Sequence, residues 1–418
     1  MIWAILALLI VTLFAGIPIG FALMITAAIS MWWVGMDLVT LPVQMFSGVN
    51  SFTLLAIPLL ILMGELMTSS TIAERLVALA SALVGWLRGG LTHAAVLTAA
   101  FVSEMSGSGV ADAAVLSKVF VSNMEEKGYP RPFAAAVVSS SAALGIIIPP
   151  SIPAVIYGVT TNTSISDLFL AGFVPGIILA IALMMANYVF AVRGNYAVFQ
   201  PFELRRLGIA IKHALVPMII PVVVLGGMIF GVFTPTEAAG IGCFVAFVFG
   251  VISRELTPRL IWQILVTTAR QSSVVMMLVA GSAVLAQVFA NEQLPQAIAQ
   301  AMIAVTNDKV VMLLLINIFL FVVGMFLHAT AAIIIIVPIL FPIVTKLGVD
   351  PVHFGMIVCL NLAIGQQTPP VASIVLTVCA STRVKLGDLM RYNWWFIGVM
   401  FIVLLIVTYI PATTIWFK

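Results

Sequence analysis

Charge is scarce in this sequence. Of 418 residues only 18 are Lys or Arg and 15 Asp or Glu, 8% in all, against roughly 25% in an ordinary soluble domain. That excludes a soluble domain with a conventionally solvated surface. Cysteine is as rare: Cys243, Cys359 and Cys379 all fall in apolar runs, where they read as small hydrophobes and support no disulfide framework. Four histidines, His93, His213, His328 and His353, show no HExxH spacing, and no GxxxxGK[ST] loop is present. These absences argue against an intramembrane enzyme or a nucleotide hydrolase. No basic residue precedes Arg75, so the apolar N-terminus lacks the basic region of a secretory signal and is expected to be retained, with its end outside the cell.

Hydrophobicity dominates what is present, at 63% of the chain. The pattern is that of an all-α polytopic membrane protein, with apolar spans near 2–34 (interrupted at Gly16 and Pro18), 51–69, 91–121, 133–160, 168–192, 214–233, 236–252, 271–290, 310–345, 352–380 and 393–415. Several exceed the ~20 residues that cross a bilayer yet are too short to cross it twice. Those around 91–128 and 310–348 therefore read as hairpins or broken helices, the first hairpin placed at about 100–128.

Gly128, Gly145, Pro149 and Pro150 recur 220 residues later as Gly348, Gly365, Pro369 and Pro370. Proline lacks an N–H and clashes with the preceding turn, so each Pro-Pro pair predicts a break inside an apolar segment, at about 133–160 and 352–380. Backbone freed at that depth must face protein, water or an ion. Asp167-Leu and Asp388-Leu continue the match at offset 221, and Pro18 and Pro235 each interrupt an early apolar run. The expected organisation is a first repeat over 1–195, a cytoplasmic linker over 196–213 and a second repeat over 214–418. If each half has about five crossings plus a re-entrant hairpin, the second half is inverted. Fifteen of the 18 basic residues then lie on the cytoplasmic side, leaving only Lys309, Lys346 and Lys418 outside, as positive-inside logic asks.

The polar residues that could form a site cluster at these features. Ser103-Glu-Met-Ser-Gly-Ser-Gly109 places three hydroxyls and two glycines in seven residues. Hydroxyls offer neutral oxygens and glycine lets backbone carbonyls come close, a set suited to a hard monovalent cation, although a small-residue packing face would show the same composition. Asp112 follows directly and would bind a cation, cap the next helix or orient substrate. Glu65 reads as interfacial, at a helix end. In the second half Gly324 to Thr330 faces Gly365 to Pro370. Gln366 and Gln367 would bind substrate or hold the break together, and Asn361 corresponds at offset 220 to Ser141. Helix N-termini formed after each break would suit an anion. Ser108, Gly109, Asp112, Ser141, His328, Asn361, Gln366 and Gln367 are the candidate substrate contacts.

Ser106-Gly-Ser-Gly-Val-Ala-Asp112, Gly145-Ile-Ile-Ile-Pro-Pro-Ser-Ile-Pro153, Leu168-Phe-Leu-Ala-Gly-Phe-Val-Pro-Gly176 and Gly365-Gln-Gln-Thr-Pro-Pro-Val-Ala372 together resemble the large membrane subunit of tripartite ATP-independent periplasmic (TRAP) transporters. Phe233-Thr-Pro-Thr-Glu-Ala238 and Phe52 to Glu65 extend the resemblance over nearly the whole chain. It implies an elevator-type fold of the ion transporter superfamily in a bacterial inner membrane. It implies sodium-coupled uptake of a small organic anion, such as a dicarboxylate or sialic acid. The partners it implies are a periplasmic substrate-binding protein and a small four-helix membrane subunit, with no cofactor beyond Na+ as coupling ion and no nucleic acid. Carried onto matching positions, one sodium site would involve Ser103, Ser106, Gly145, Ile148 and Pro150. By the internal repeat, a second would involve Gly324, Gly365, Thr368 and Pro370.

Two departures leave the substrate class open: His328 stands where the family often has an acidic residue, and Gln366-Gln367 where it often has an apolar pair. A stand-alone ion-coupled symporter, working without a binding protein, is the competing reading.

Overall fold

The computed structural model describes residues 2–68, 72–196, 198–293, 297, 306 and 308–418. Ser69, at the end of one expected span, and Ala197, in the expected linker, lie outside them. The described chain is almost wholly helical, and its only bridge outside helices pairs Arg88 with Val198. Among the described residues seven helices are long and apolar enough to cross a membrane, or nine if each of two bent pairs is counted as one span.

Local chemistry explains where the helices begin. Pro235 opens Pro235–Ile252 behind a capping box in which Thr234 and Glu237 satisfy each other's backbone N–H, and Thr257, Asp308 and Asp350 accept the first free N–H groups of their helices in the same way. Both Pro18 and Pro235 thus start helices, which is why each interrupts an apolar run. The expected linker 196–213 is helical from Leu204 onward. It forms the first limb of Leu204–Ile229, which bends by 59° between Leu215 and Pro217. Upstream of that helix the linker is tied down where Gln200 Nε2 donates to the Ser81 carbonyl at 2.6 Å.

Two hairpins and two broken helices occupy the centre. The first hairpin runs from Gly90–Ser106 back through Gly109–Leu116 to Glu126, and the second pairs Lys309–Phe326 with Ala329–Lys346. The leading arm of the first hairpin begins at Gly90, ten residues ahead of the expected 100, because Gly89 in the left-handed region starts the helix there. The first broken helix comprises Arg131–Ala142, Leu144–Ile147 and Ile152–Thr161; the second comprises Pro351–Gly365 and Ser373–Thr382. Both interruptions contain the paired prolines.

The 220-residue offset holds for the helix boundaries themselves. Second hairpin arms start at Gly109 and Ala329, broken helices at Arg131 and Pro351, and the glycines before them, Gly128 and Gly348, both have positive φ. Past the breaks the offset becomes 221. Ile152–Thr161 matches Ser373–Thr382, the left-handed caps Asn162 and Arg383 correspond, and Ile165–Arg193 starts in register with Leu386–Tyr409. Packing between the halves is reciprocal. Ile152–Thr161 lies on Ala329–Lys346 while Ser373–Thr382 lies on Gly109–Leu116, and Arg131–Ala142 meets Leu386–Tyr409 while Pro351–Gly365 meets Ile165–Arg193. The first broken helix is the most enclosed: 94% of the most apolar stretch of 131–161 is buried, against 39% for the peripheral Pro258–Asn291.

Candidate functional site

Where the first hairpin tip meets the broken helix, three glycines, two on the tip and one on the helix, allow direct contact. Gly107 takes φ +58°, and a Cβ there would come within 2.7 Å of the Pro150 carbonyl oxygen. Its own carbonyl accepts a hydrogen bond from Ile152 N at 3.2 Å, joining the tip to the helix that follows the break. A Cβ on Gly109 would approach the Ala142 oxygen to 2.8 Å, and one on Gly145 would strike the Asp112 carboxylate. A larger residue at Gly107 or Gly109 would push hairpin and break apart, whereas one at Gly145 would first displace the Asp112 carboxylate.

Asp112 is fully buried at this contact. Ser103 Oγ lies 3.0 Å from its Oδ2 and also 2.6 Å from the Ala99 carbonyl, and Ser106 Oγ donates to Oδ1. The helix cap is Ser108, whose Oγ accepts from Ala111 N at 3.5 Å, so capping is not the role of Asp112. Its carboxylate ties the two hairpin arms together, and among the described residues no Lys, Arg or His pairs with it.

The prolines set the carbonyls of the break. Pro149 and Pro150 have no N–H to offer Gly145 and Ile146 four residues back. Ser151 Oγ covers the Ile146 oxygen at 2.6 Å, whereas the Gly145 oxygen has no helical donor. Ile148, at the break, is in extended backbone. At the second break both corresponding carbonyls are covered, Gly365 by Thr368 N at 2.9 Å and Gln366 by Ile374 N at 3.2 Å. The Thr368 hydroxyl donates back to the Ile364 carbonyl at 3.0 Å. Gly324 and Gly365 touch backbone to backbone, since a Cβ on Gly365 would sit 2.5 Å from the Gly324 Cα. Val371 N, next to Pro370, donates to the Met325 carbonyl at 3.1 Å, the counterpart of the Ile152 to Gly107 bond.

The two glutamines take different roles. Gln367 Oε1 accepts from Ser139 Oγ at 2.6 Å while its Nε2 donates to the Ser139 carbonyl at 2.7 Å, and Asn393 Nδ2 donates to its backbone carbonyl at 3.2 Å. It holds the second break to the first half of the chain. Gln366 accepts from Ser373 Oγ at 2.8 Å, and its buried Nε2 has no partner.

A cavity of about 610 Å³ lies where the hairpin tips approach peripheral helices. Ser106, Ser108, Gly109, His328, Thr330 and Gln366 reach it, so the structure brings both hairpin tips and the second break to one space. Ser141, Asn361 and Gln367 are outside its lining. The Ser141 hydroxyl donates to the Val137 carbonyl at 2.6 Å. Asn361 Nδ2 donates to Asn317 Oδ1 at 2.7 Å, and Asn317 in turn to Thr408 Oγ1 at 3.0 Å, a buried chain linking three helices. Asp112 lies behind the tip, held by Ser106.

Two charged residues not counted as site residues from the sequence line the cavity as well. Glu65, expected at an interface, is half-buried there and accepts from Gln271 Nε2 at 2.9 Å. Arg270, expected only as a cytoplasmic charge, also lines it. The available signal was Arg270 standing alone in the apolar stretch after Arg259. The three thiols are free, with Cys243 and Cys359 buried.

The sequence model of the DctM component of tripartite ATP-independent periplasmic transporters matches residues 6–413. The isethionate TRAP transporter permease protein DctMQ of Oleidesulfovibrio alaskensis is 37% identical over 97% of this chain, which spans 64% of that protein's length. The sialic acid TRAP transporter large permease protein SiaM of Vibrio cholerae is 36% identical over 96% of this chain and 95% of its own. The C4-dicarboxylate TRAP transporter large permease protein DctM of Pseudomonas aeruginosa is 36% identical over 90% and 88%. Among solved structures the YdaH transporter of Alcanivorax borkumensis matches with a TM-score of 0.64 over 90% of this chain and 87% of that one, at 14% identity, a likeness of fold alone.

Proposed function

Because this chain belongs to the DctM family of TRAP transporter large permeases, an integral membrane transporter component and not an enzyme, we propose that it carries a small organic acid anion inward, driven by sodium. The observation that carries this reading is the meeting of both hairpin tips at one cavity, each tied by a backbone hydrogen bond to the break beside it.

Sodium has its best-supported place at the first break. The buried Asp112 carboxylate lacks a cationic partner among the described residues, and a buried charge without one is costly unless a cation joins it. The hydroxyls of Ser103 and Ser106 bond that carboxylate, and Gly145, whose carbonyl has no helical donor, packs against it, with Ile148 and Pro150 at the break itself. Gly324, Gly365, Thr368 and Pro370 make the second candidate site, where the carbonyl oxygens keep a lone pair beyond the hydrogen bonds they accept.

Reciprocal packing of half-helices supports two repeats of opposite orientation, and the distribution of basic residues supports a cytoplasmic Arg75 side, a periplasmic N-terminus and a bacterial inner membrane. The hairpins and broken helices would move as one body past the peripheral helices, an elevator motion. A periplasmic binding protein would deliver the anion and a small membrane subunit would brace the peripheral helices. Reconstitution into proteoliposomes tests this: uptake of isethionate, sialic acid or succinate should require a sodium gradient and the binding protein. Uptake indifferent to sodium would overturn the coupling.

A further inference from the structure

Resting on the anion reading above, we infer that Arg270, on a peripheral helix outside both hairpins, is the residue that receives the anionic group of the cargo on the cytoplasmic side.

Three observations converge on it. First, Arg270 lines the cavity and makes no hydrogen bond or ion pair among the described residues. A guanidinium offers five donors in a rigid fork matched to carboxylate and sulfonate oxygens. Second, Gln366 lines the same cavity, and its buried amide Nε2 has no acceptor. An orphaned buried donor is costly, and a small turn of the Gln366 amide toward the cavity would let a bound acceptor satisfy it. Third, Glu65, which also lines the cavity, accepts a hydrogen bond from Gln271 and forms no ion pair with Arg270. Thus the cavity offers unmatched donors to an incoming acceptor.

Depth assigns the side. Pro258–Asn291 has 34 residues, about 51 Å of helix, against a hydrocarbon core of about 30 Å. The uncharged stretch after Arg270 reaches from Gln271 to Asn291, roughly 32 Å, and spans the core alone. Arg270 therefore stands at the membrane edge on the side of Arg254 and Arg259, which positive-inside logic makes cytoplasmic. His328 and Ser108 of the hairpin tips share the cavity with it. When the tips stand at this level the cargo meets a fixed charge that no site carried by the hairpins would retain on the opposite side. Arg270 would thus select for anions at the inner face and be left behind when the hairpins move away.

Binding of isethionate, sialic acid and succinate to the purified chain in sodium, by titration calorimetry, tests the inference. Arg270→Gln should weaken whichever anion binds by about tenfold or more, while Arg270→Lys, which keeps the charge but loses the planar fork, should fall between Arg270→Gln and wild type. The sodium concentration for half-maximal binding should not change, a separation that general loosening of the fold would not produce. An anion that binds wild type and Arg270→Gln alike overturns this inference and leaves the transport reading standing; a wild type that binds none of the three overturns both. Should Arg270→Gln fail to fold, Arg270→Cys in a Cys379→Ser background answers the same question. A cationic methanethiosulfonate should restore anion binding and an anionic one should not, and equal binding with the two overturns the assignment.

Discussion

The two hairpin-and-break units share a backbone and differ in nearly everything polar. Both place their prolines, their left-handed caps and their helix starts at matching positions. The first unit holds a buried carboxylate between two serines; at offset 220 the second has Ala332 in place of Asp112, Val323 in place of Ser103 and Phe326 in place of Ser106. Break carbonyls are covered in the second unit and one is open in the first. The Gln367 clamp belongs to the second alone. Duplication has kept the geometry that exposes backbone at depth, while the chemistry placed on it has specialised, one side toward charge and the other toward fixing the frame.

The sharpest way to break this comparison is to add one methyl group to each unit. Gly365→Ala drives a Cβ into the Gly324 backbone, which has no side chain to move aside, so a loss of about 3 kcal/mol and of folded yield is expected, read by thermal unfolding in detergent. Gly145→Ala meets the Asp112 carboxylate, which can rotate. The variant should fold but need about tenfold more sodium for half-maximal uptake, equivalent to ~1.4 kcal/mol. Equal behaviour of the two variants would erase the proposed difference between the units.

Asp112→Asn keeps shape and removes charge. If the first unit is the charged one, sodium-dependent uptake should fall by an order of magnitude or more with a melting temperature close to wild type; unchanged uptake would return Asp112 to a purely structural role. Gln367→Ala should do the reverse. It strands the Ser139 hydroxyl and carbonyl, costing about 2 kcal/mol of stability while leaving the sodium dependence where it was.

The smallest effect lies at Asp350, which caps Pro351–Gly365 and pairs with Lys418 at 2.6 Å. Partial burial raises its carboxyl, but Lys418 and the N–H groups of Val352 and His353 outweigh that and hold it below the usual range. Such a group stabilises above its unfolded pKa, about 3.9, and loses the contribution as pH falls through the lower folded value. Asp350→Ala should cost ~1 kcal/mol near neutrality and almost nothing at strongly acidic pH.

Much of this could be read from the residues. Paired prolines have one physical consequence inside an apolar run, so the breaks and their 220-residue spacing were visible, and run lengths gave the hairpins. The serine and glycine run announced a close backbone approach. What could not be read is depth. Arg270 and Glu65 gain their meaning from how far the hairpin tips stand along the peripheral helices, and no local pattern encodes that level. Partnership over distance was equally hidden: Gln367 binds Ser139, 228 residues away, and either neighbouring glutamine offered the same chemistry. The helix starting at Leu204 was obscured by its charge, since Arg205, Arg206 and Lys212 read as a solvated link, whereas Leu204–Ile229 as a whole packs against Ile72–Val84.

Reciprocal packing also bears on how the chain is made. Ile152–Thr161 finds its seat on Ala329–Lys346, and Arg131–Ala142 on Leu386–Tyr409, so the first unit leaves the ribosome with its central surfaces uncovered. From Thr161 to Ala329 synthesis takes on the order of ten to thirty seconds. Throughout that interval an interrupted, partly polar segment waits in the membrane for neighbours that do not yet exist. The insertion machinery must shelter it, and the late-emerging half acts in that sense as the assembly factor for the early one.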